Sequence, residues 1–392
     1  MRWRELADPV ARRIPAGPRD GIDVGVEQEW RLRVDGAPMD FRRLVRTITS
    51  DLPHRDPGDP NAVRLSSGVG LTADGWEAEL ITPPLPLGPA APELIGNLLA
   101  DGLAELSKRL LQHGYAPGFS GYSTHVNVTC PDQRVVRTAQ LMAQRCSPAV
   151  ALLLESSDSA GLLIRPRRGR LEIGADHLDG TLLEVALTAV PAIVLLCAAS
   201  ADRRGPRRKR SVRALPELDL AIVPARERFG HYVDRRASGT DLYTVGRAAV
   251  LRTSTGSTVT AADHLTAVWK LARPYARRLG LDPTRVDDVV AGRSRLPCEV
   301  EDRSDAPAAV TSLGRQRPPA RPELPDLRRR RRPFGVVEAA WATWNVTAWR
   351  CSAPDGGEYF LVIPRADHAG FLAVLDAGRL DRPLARRLKR AR

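Results

Sequence analysis

DVGVEQEWRLRV, residues 23–34, alternates apolar and polar side chains along most of its length. Successive residues of a β-strand point to opposite faces of the sheet. One face of this strand carries Val24, Val26, Trp30 and Leu32; the other carries Asp23, Glu27, Glu29, Arg31 and Arg33. The same division recurs further along. In WEAELIT (76–82), Trp76, Ala78 and Leu80 oppose Glu77 and Glu79. In STHVNVT (123–129), Thr124, Val126 and Val128 oppose Ser123, His125 and Asn127. In GRLEIG (169–174), Leu171 and Ile173 oppose Arg170 and Glu172. Strands of this kind predict a sheet with one face packed on a core and its chemistry on the other.

The plain alternative is a solvated sheet face, which is usually threonine, lysine and mixed charge. The E-x-E pairs at Glu27/Glu29 and Glu77/Glu79 fit that poorly. Carboxylates two apart on a strand lie roughly 6.5–7 Å from each other. Stacking such pairs on neighbouring strands is repulsive unless cations intervene. Oxygen-rich acidic clusters are what magnesium with nucleotide phosphates requires.

Around these strands the order of elements is α+β rather than strictly alternating. Residues 62–72 and 76–82 read as two strands turning through Ala73, Asp74 and Gly75. A helix follows over about 92–113, with Leu94, Leu98, Leu99, Leu103, Leu106 and Leu110 at helical spacing and Gly114 to end it. Residues 134–155, 181–201 and 261–291 also read as helical. The most apolar run, Val185 to Ser200, is short for a membrane span and contains Pro191, so it reads as a buried core helix. Residues 203–210 form a basic loop. Residues 303–333 are rich in Pro and Arg and read as a linker or surface loop, with five consecutive arginines from Arg328 to Arg332. A hairpin over 335–351 and 358–363, a short helix near 366–377 and a basic tail complete the chain. The expected division is a catalytic domain over 1–302, the linker over 303–333 and a small ββα segment over 334–392, with residues 1–20 a loose or helical lead-in.

The chain has 392 residues, 43% of them apolar, which is enough for a sizeable core. Its net charge of +13 invites a nucleic-acid reading. Yet only Lys108, Lys209, Lys270 and Lys389 among the 59 basic residues are lysine, and the arginines cluster in two runs rather than over one surface. Anionic small molecules fit that charge better than nucleic acid. Five dispersed cysteines with no CxxC argue against zinc and against a disulfide framework. The opening residues lack the apolar stretch of a signal peptide, so a reducing, cytoplasmic setting without membrane attachment is expected. There is no GxxxxGK[ST] loop, which argues against a P-loop kinase.

The motifs carry a resemblance. Gly25-Val26-Glu27-Gln28-Glu29-Trp30 resembles the opening strand of the glutamate–cysteine ligase and carboxylate–amine ligase family. WEAELITPP (76–84) is similar to that family's E-x-E-x-x-[TS]-P-P segment, STHVNV (123–128) to its histidine strand, and RPRRGRLE (165–172) to its arginine strand. The likeness covers about 20–200 well and 200–300 loosely; residues 303–392 fall outside it. It implies a glutamine-synthetase-like fold, an antiparallel sheet curved into a funnel around ATP and Mg2+ or Mn2+. It implies metal-ligand roles for Glu27, Glu29, Glu77, Glu79 and Glu172, and a place for His125 near the nucleotide or a metal, with Asn127 beside it. The phosphate-binding arginine falls on Arg170, with Arg165 and Arg168 as rivals that Pro166 and Gly169 suggest lie on a turn. Where many relatives have E-[FVI]-R, this chain has Glu172-Ile173-Gly174.

The chemistry stands apart from the family. A carboxylate is a poor electrophile until ATP converts it to an acyl phosphate, which an amine can then displace. Positioning and charge neutralisation do most of the work in such phosphoryl transfer. The expected substrates are a small carboxylate, with glutamate as the donor implied by the resemblance, and a small amine. A phosphotransferase on the same scaffold, or a degenerate ligase body contacting RNA or an acidic partner, are the competing readings. Asp176-His177 is either a turn pair or a contact to a substrate amine or carboxylate. Trp341, Trp344 and Trp349 are expected to pack the C-terminal hairpin.

Overall fold

The computed structural model describes residues 21–52, 55–56, 59–65, 67–156, 159, 161–201, 211–224, 230–299 and, in the last part of the chain, 330–332, 335–342, 346–352, 358–364, 370–371, 373–374 and 377. The lead-in 1–20, the basic loop 203–210, most of the linker and the basic tail lie outside the described residues.

The chain is α+β, built on one antiparallel sheet of 12 strands. These are Asp23–Val34 (β1), Ala37–Met39 (β2), Arg55–Asp56 (β3), Asp59–Arg64 (β4), Gly70–Asp74 (β5), Glu77–Ile81 (β6), Leu85–Pro86 (β7), Pro117–Thr129 (β8), Gly161–Arg167 (β9), Arg170–Asp176 (β10), Ile222–Pro224 (β11) and His231–Asp234 (β12). Their order is β11-β12-β9-β10-β8-β1-β6-β5-β4-β3, with β2 and β7 also paired to β1. The strand that decides the fold therefore stands near the middle, between β8 and β6.

One face of the sheet is the core. Val24, Val26, Ala78, Leu80, Val126, Val128, Leu171 and Ile173 are all fully buried there. Helices Ala91–Gln112, Asp132–Arg145, Ser147–Leu154 and Gly180–Ala201 cover it. Ala91–Gln112 carries Pro92 in its first turn, where a fixed φ suits the helix, and ends before Gly114 at φ 82°. Its Ile95, Leu99, Leu106 and Leu110 form the buried stripe.

The helix Gly180–Ala201 is apolar on nearly every side because it is packed on nearly every side. Its bounds match the helix read over 181–201 to within one residue, and at 22 residues it has the length and composition of a membrane span. However, 78% of its most apolar window is buried inside the protein, against the sheet, its neighbouring helices and the outer helix Ala261–Arg278.

Four local expectations are corrected. Residues 62–72 are two strands, β4 and β5, joined by a turn in which Leu65 and Val69 are hydrogen-bonded across. Residues 134–155 are two helices that break at Cys146, because Pro148 begins a new first turn and cannot continue the old one. Strand β9 was not predicted; its Leu162-Leu163-Ile164 run is buried on both faces and shows no alternation. Finally, Arg330–Arg332 is not linker but a strand, paired with Gly335–Ala342, then Val346–Ser352 and Glu358–Pro364, in a separate four-stranded sheet. There Trp349 is buried, its ring centroid 5.1 Å from that of Phe371.

Candidate functional site

The register of the central strands brings the polar residues together. Glu29 pairs with Glu79 on β6 and with Ser123 on β8. Glu27 pairs with His125, which pairs with Gly174 on β10. Asn127 pairs with Glu172, and Glu172 with Arg165 on β9. Arg170 pairs with Arg167. All of these lie on the face away from the core. Along the strands the face passes from acids through His125 to arginines.

At the acidic end, potential ligand atoms of Glu27, Glu79 and His125 lie within 4.8 Å of one another, and so do those of Glu29, Asp74 and Glu79. Glu79 belongs to both groups. Glu27, Glu29 and Glu79 are buried. Glu27 Oε1 accepts from Asn127 Nδ2 at 3.2 Å, while Glu27 Oε2 is buried with no hydrogen-bond partner and only His125 Nδ1 at 3.4 Å. A buried carboxylate oxygen left so is costly. Burial pushes the Glu29 carboxyl up to about 7, with Asp74 and Glu77 adding to the rise against the pull of His125. Burial opposes the charged His125 ring, yet Glu27 and Glu29 outweigh it and raise its pKa. The donor set is oxygen-rich, under-compensated and able to accept cations, which fits magnesium or manganese.

Glu77 is placed differently from its sequence reading. It is half-buried at the end of the β5–β6 hairpin, where it accepts from the Trp76 N–H at 2.9 Å and lies 3.9 Å from Arg31. Asp74, read as a turn residue, sits in the cation group instead. Asp-Gly is a strong hairpin signal, yet Asp74 is the last residue of β5, directly across from Glu77.

At the other end, Glu172 is fully buried and ion-paired with Arg165 and, at 2.9 Å, with Arg167. Burial would raise its carboxyl, but Arg165, Arg167, His125 and Arg170 outweigh that and hold it low. Glu172 stands in neither cation group; its charge is met by guanidinium. Arg165 is not on a turn but inside β9, opposite Glu172 and buried. Arg168 alone of the rivals is exposed, on the β9–β10 turn. Arg167, unmarked in the sequence, is the second partner of Glu172. Arg170 is buried, and its Nε donates to Asn127 Oδ1 at 2.6 Å. Asn127 thus links the arginines to Glu27.

Gly174 has a steric role. A Cβ there would lie 3.1 Å from His125 Cδ2 and 3.3 Å from Leu163 Cβ. Glycine lets the His125 ring lie across β10, and a larger side chain has no room without moving that ring. Gly174→Ala is expected to displace His125 from Glu27, cost about 1–3 kcal/mol through overpacking, and weaken Mn2+ binding. Thermal unfolding with and without Mn2+ measures both; unchanged values mean that Leu163 yields and His125 stays.

The acidic end also sets a pH dependence. Glu29 titrates at 4.5 in the unfolded chain and about 7 in the fold. Between those values the fold holds a proton that the unfolded chain has released, so stability falls as pH rises through that window, by on the order of 3 kcal/mol. His125, raised above 6.5, acts in the same direction at higher pH, whereas Glu172, held low, costs stability only as pH falls through the acid range. In EDTA the melting temperature is expected to drop from pH 4.5 to pH 8, the range that begins at the unfolded Glu29 value. Divalent cations should restore it above pH 7, and Glu29→Gln should flatten the profile. A flat profile for the unchanged protein would contradict this.

No family model and no curated protein matches the chain. Among solved structures it is similar to the complex of the prokaryotic ubiquitin-like protein Pup with its ligase PafA, at 12% identity and a TM-score of 0.39, over 69% of this chain and 62% of that one. It is also similar to the Pup ligase PafA in complex with ADP, at 13% identity and a TM-score of 0.36, over 64% of this chain and 61% of that one. The chain therefore spans just over three fifths of the length of those ligases.

Proposed function

We propose that this chain is an ATP- and divalent-cation-dependent ligase that joins a carboxylate to an amine through an acyl phosphate, with glutamate as the donor acid. The observation that carries the reading is Glu79, shared by two ligand groups on the same sheet face as a buried arginine cluster. Catalysis is assigned to residues 1–302, with the polar face as the floor of a glutamine-synthetase-like funnel.

Glu27, Glu79 and His125 would hold one cation, and Glu29, Asp74 and Glu79 a second. Bound there, magnesium or manganese supplies charge neutralisation for the nucleotide phosphates. Arg170 engages the phosphoryl group as it moves, since a guanidinium presents planar paired donors to phosphate oxygens. Asn127 orients Arg170 through its 2.6 Å contact, and Glu172 orients Arg165 and Arg167. The donor carboxylate attacks the terminal phosphoryl group, ADP leaves, and the amine displaces phosphate from the acyl carbon.

The test is a screen of amino-acid pairs with ATP and magnesium, read by ADP release and by mass spectrometry for products lighter by one water. Amine-dependent ADP release with an amide product is the expected result. ADP release indifferent to every amine, with a phosphorylated acid or guanidino product, makes the protein a phosphotransferase instead.

A further inference from the structure

The helix Asp132–Arg145 has two adjoining faces. Val135, Thr138, Ala139 and Met142 are buried, and the helix packs on β9, β10 and the helix Gly180–Ala201. Arg137, Leu141, Gln144 and Arg145 recur at the spacing of a second face. Together with Arg213 and Glu217 they line a cavity of about 420 Å³. Because this helix covers the apolar face of the sheet, the cavity lies on the other side of the sheet from Glu79, Arg165 and Arg170.

The wall facing the helix is anchored through its backbone. Ser211 is buried, and its hydroxyl accepts from the Arg213 N–H at 3.1 Å, which starts the short 3₁₀ turn Val212–Ala214. Val212 is fully buried, and its N–H donates to Ser200 Oγ at 3.1 Å. Further on, the Leu218 N–H donates to the Gln144 carbonyl at 3.3 Å and the Ser254 N–H to the Glu217 carbonyl at 2.8 Å. Arg145 joins the two walls: its Nη1 donates to the Leu215 carbonyl at 2.6 Å and its Nη2 to Glu217 at 2.9 Å. Arg137 makes only an exposed contact, donating to Gln140 Oε1 at 3.1 Å. Among the described residues, the Arg213 guanidinium and the Gln144 side-chain amide have no hydrogen-bond or ion-pair partner. The cavity therefore keeps its shape without calling on Arg137, Arg213 or the Gln144 amide.

The lining sets three guanidinium groups against one carboxylate, Glu217, which Arg145 already engages. That leaves two positive charges uncompensated around a concave site, where like charge concentrates the field. A doubly charged anion matches them. Guanidinium presents planar paired donors to tetrahedral oxygens, and the Gln144 amide adds a neutral donor. Leu141, which is buried, is the apolar member of the lining. The volume is that of a small-molecule pocket rather than of a surface for a folded partner or a nucleic-acid strand.

We infer that the cavity lined by Arg137, Gln144, Arg145 and Arg213 binds a phosphate dianion, free or as the monoester of a small molecule. Arg145 is the fixed member of the site, and Arg137 and Arg213 close on the phosphate oxygens from either wall. The inference does not depend on the ligase reading, since none of these residues lies on the polar face of the sheet.

The experiment titrates the full chain by calorimetry in EDTA at about pH 8, where a phosphate monoester carries close to two negative charges. The probes are sodium phosphate and sn-glycerol 3-phosphate. Binding is expected, weakened tenfold or more when Arg137→Gln and Arg213→Gln are combined. Both residues are exposed, so the double variant should keep the melting temperature and the ATP–magnesium affinity of the unchanged protein. Phosphate binding that survives the double variant at full strength belongs to the sheet arginines and overturns the assignment, as does no binding to the unchanged protein. The two probes separate two sources of the same chemistry: tighter binding of glycerol 3-phosphate supports a monoester, and equal or weaker binding supports free phosphate. An acetylated and amidated Gly-phosphoserine-Gly peptide that binds more tightly than both overturns the small-molecule assignment in favour of a phosphorylated protein.

Discussion

Glu79→Gln is expected to lower divalent-cation affinity more than any other single carboxylate change on the sheet. Glu79 offers an oxygen to both ligand groups, whereas Glu27, Glu29 and Asp74 each belong to one. Loss of even an outer partner of a metal site costs roughly 10–100-fold in affinity, so the shared ligand should exceed the upper end. Glu27→Gln should weaken binding less and leave the second group intact. Neither change should unfold the protein, because the neutral side chain relieves repulsion between Glu79 and Glu29, which face each other across β1 and β6. Calorimetric titration with ATP and magnesium checks the order. Equal affinity in both variants and the unchanged protein would place the cations elsewhere.

This ordering was half legible in the amino-acid sequence. Side-chain alternation placed Glu27, Glu29, Glu79, His125, Asn127 and Glu172 on the outer face because strand parity is a local property. Parity does not give register, and register is what made Glu79 common to two groups and put His125 against Gly174. It also fails where a strand changes phase: pairing between β1 and β8 shifts at Glu29/Trp30, which leaves Tyr122 as an extra residue with Arg31 stacked 4.3 Å over its ring. Asp74 was hidden by its own turn chemistry. The arginine run 165–170 was hidden by Pro166, which reads as a turn residue yet occupies a strand position opposite Leu171.

Arg170→Lys is expected to keep the fold and most nucleotide binding but to lower turnover by on the order of a hundredfold or more, if its contact acts on charge that develops in the transition state. Lysine preserves the positive charge but not the planar pair of donors. The neighbouring arginines separate structure from chemistry. Arg165 is buried against Glu172, so Arg165→Lys should appear mainly as lost stability. Arg168 is exposed on the β9–β10 turn, so Arg168→Lys should change neither stability nor turnover. Asn127→Asp supplies the complementary test. It places a second negative charge beside Glu27 while still accepting from Arg170 Nε, so it should impair cation binding before it impairs the arginine. Thermal unfolding, ATP titration and steady-state turnover on the four variants give the comparison. Should Arg168→Lys lose more turnover than Arg170→Lys, the phosphoryl contact lies on the turn. Should Arg165→Lys lose turnover with its stability intact, the contact lies on β9, and Glu172 positions the reacting guanidinium rather than a structural one.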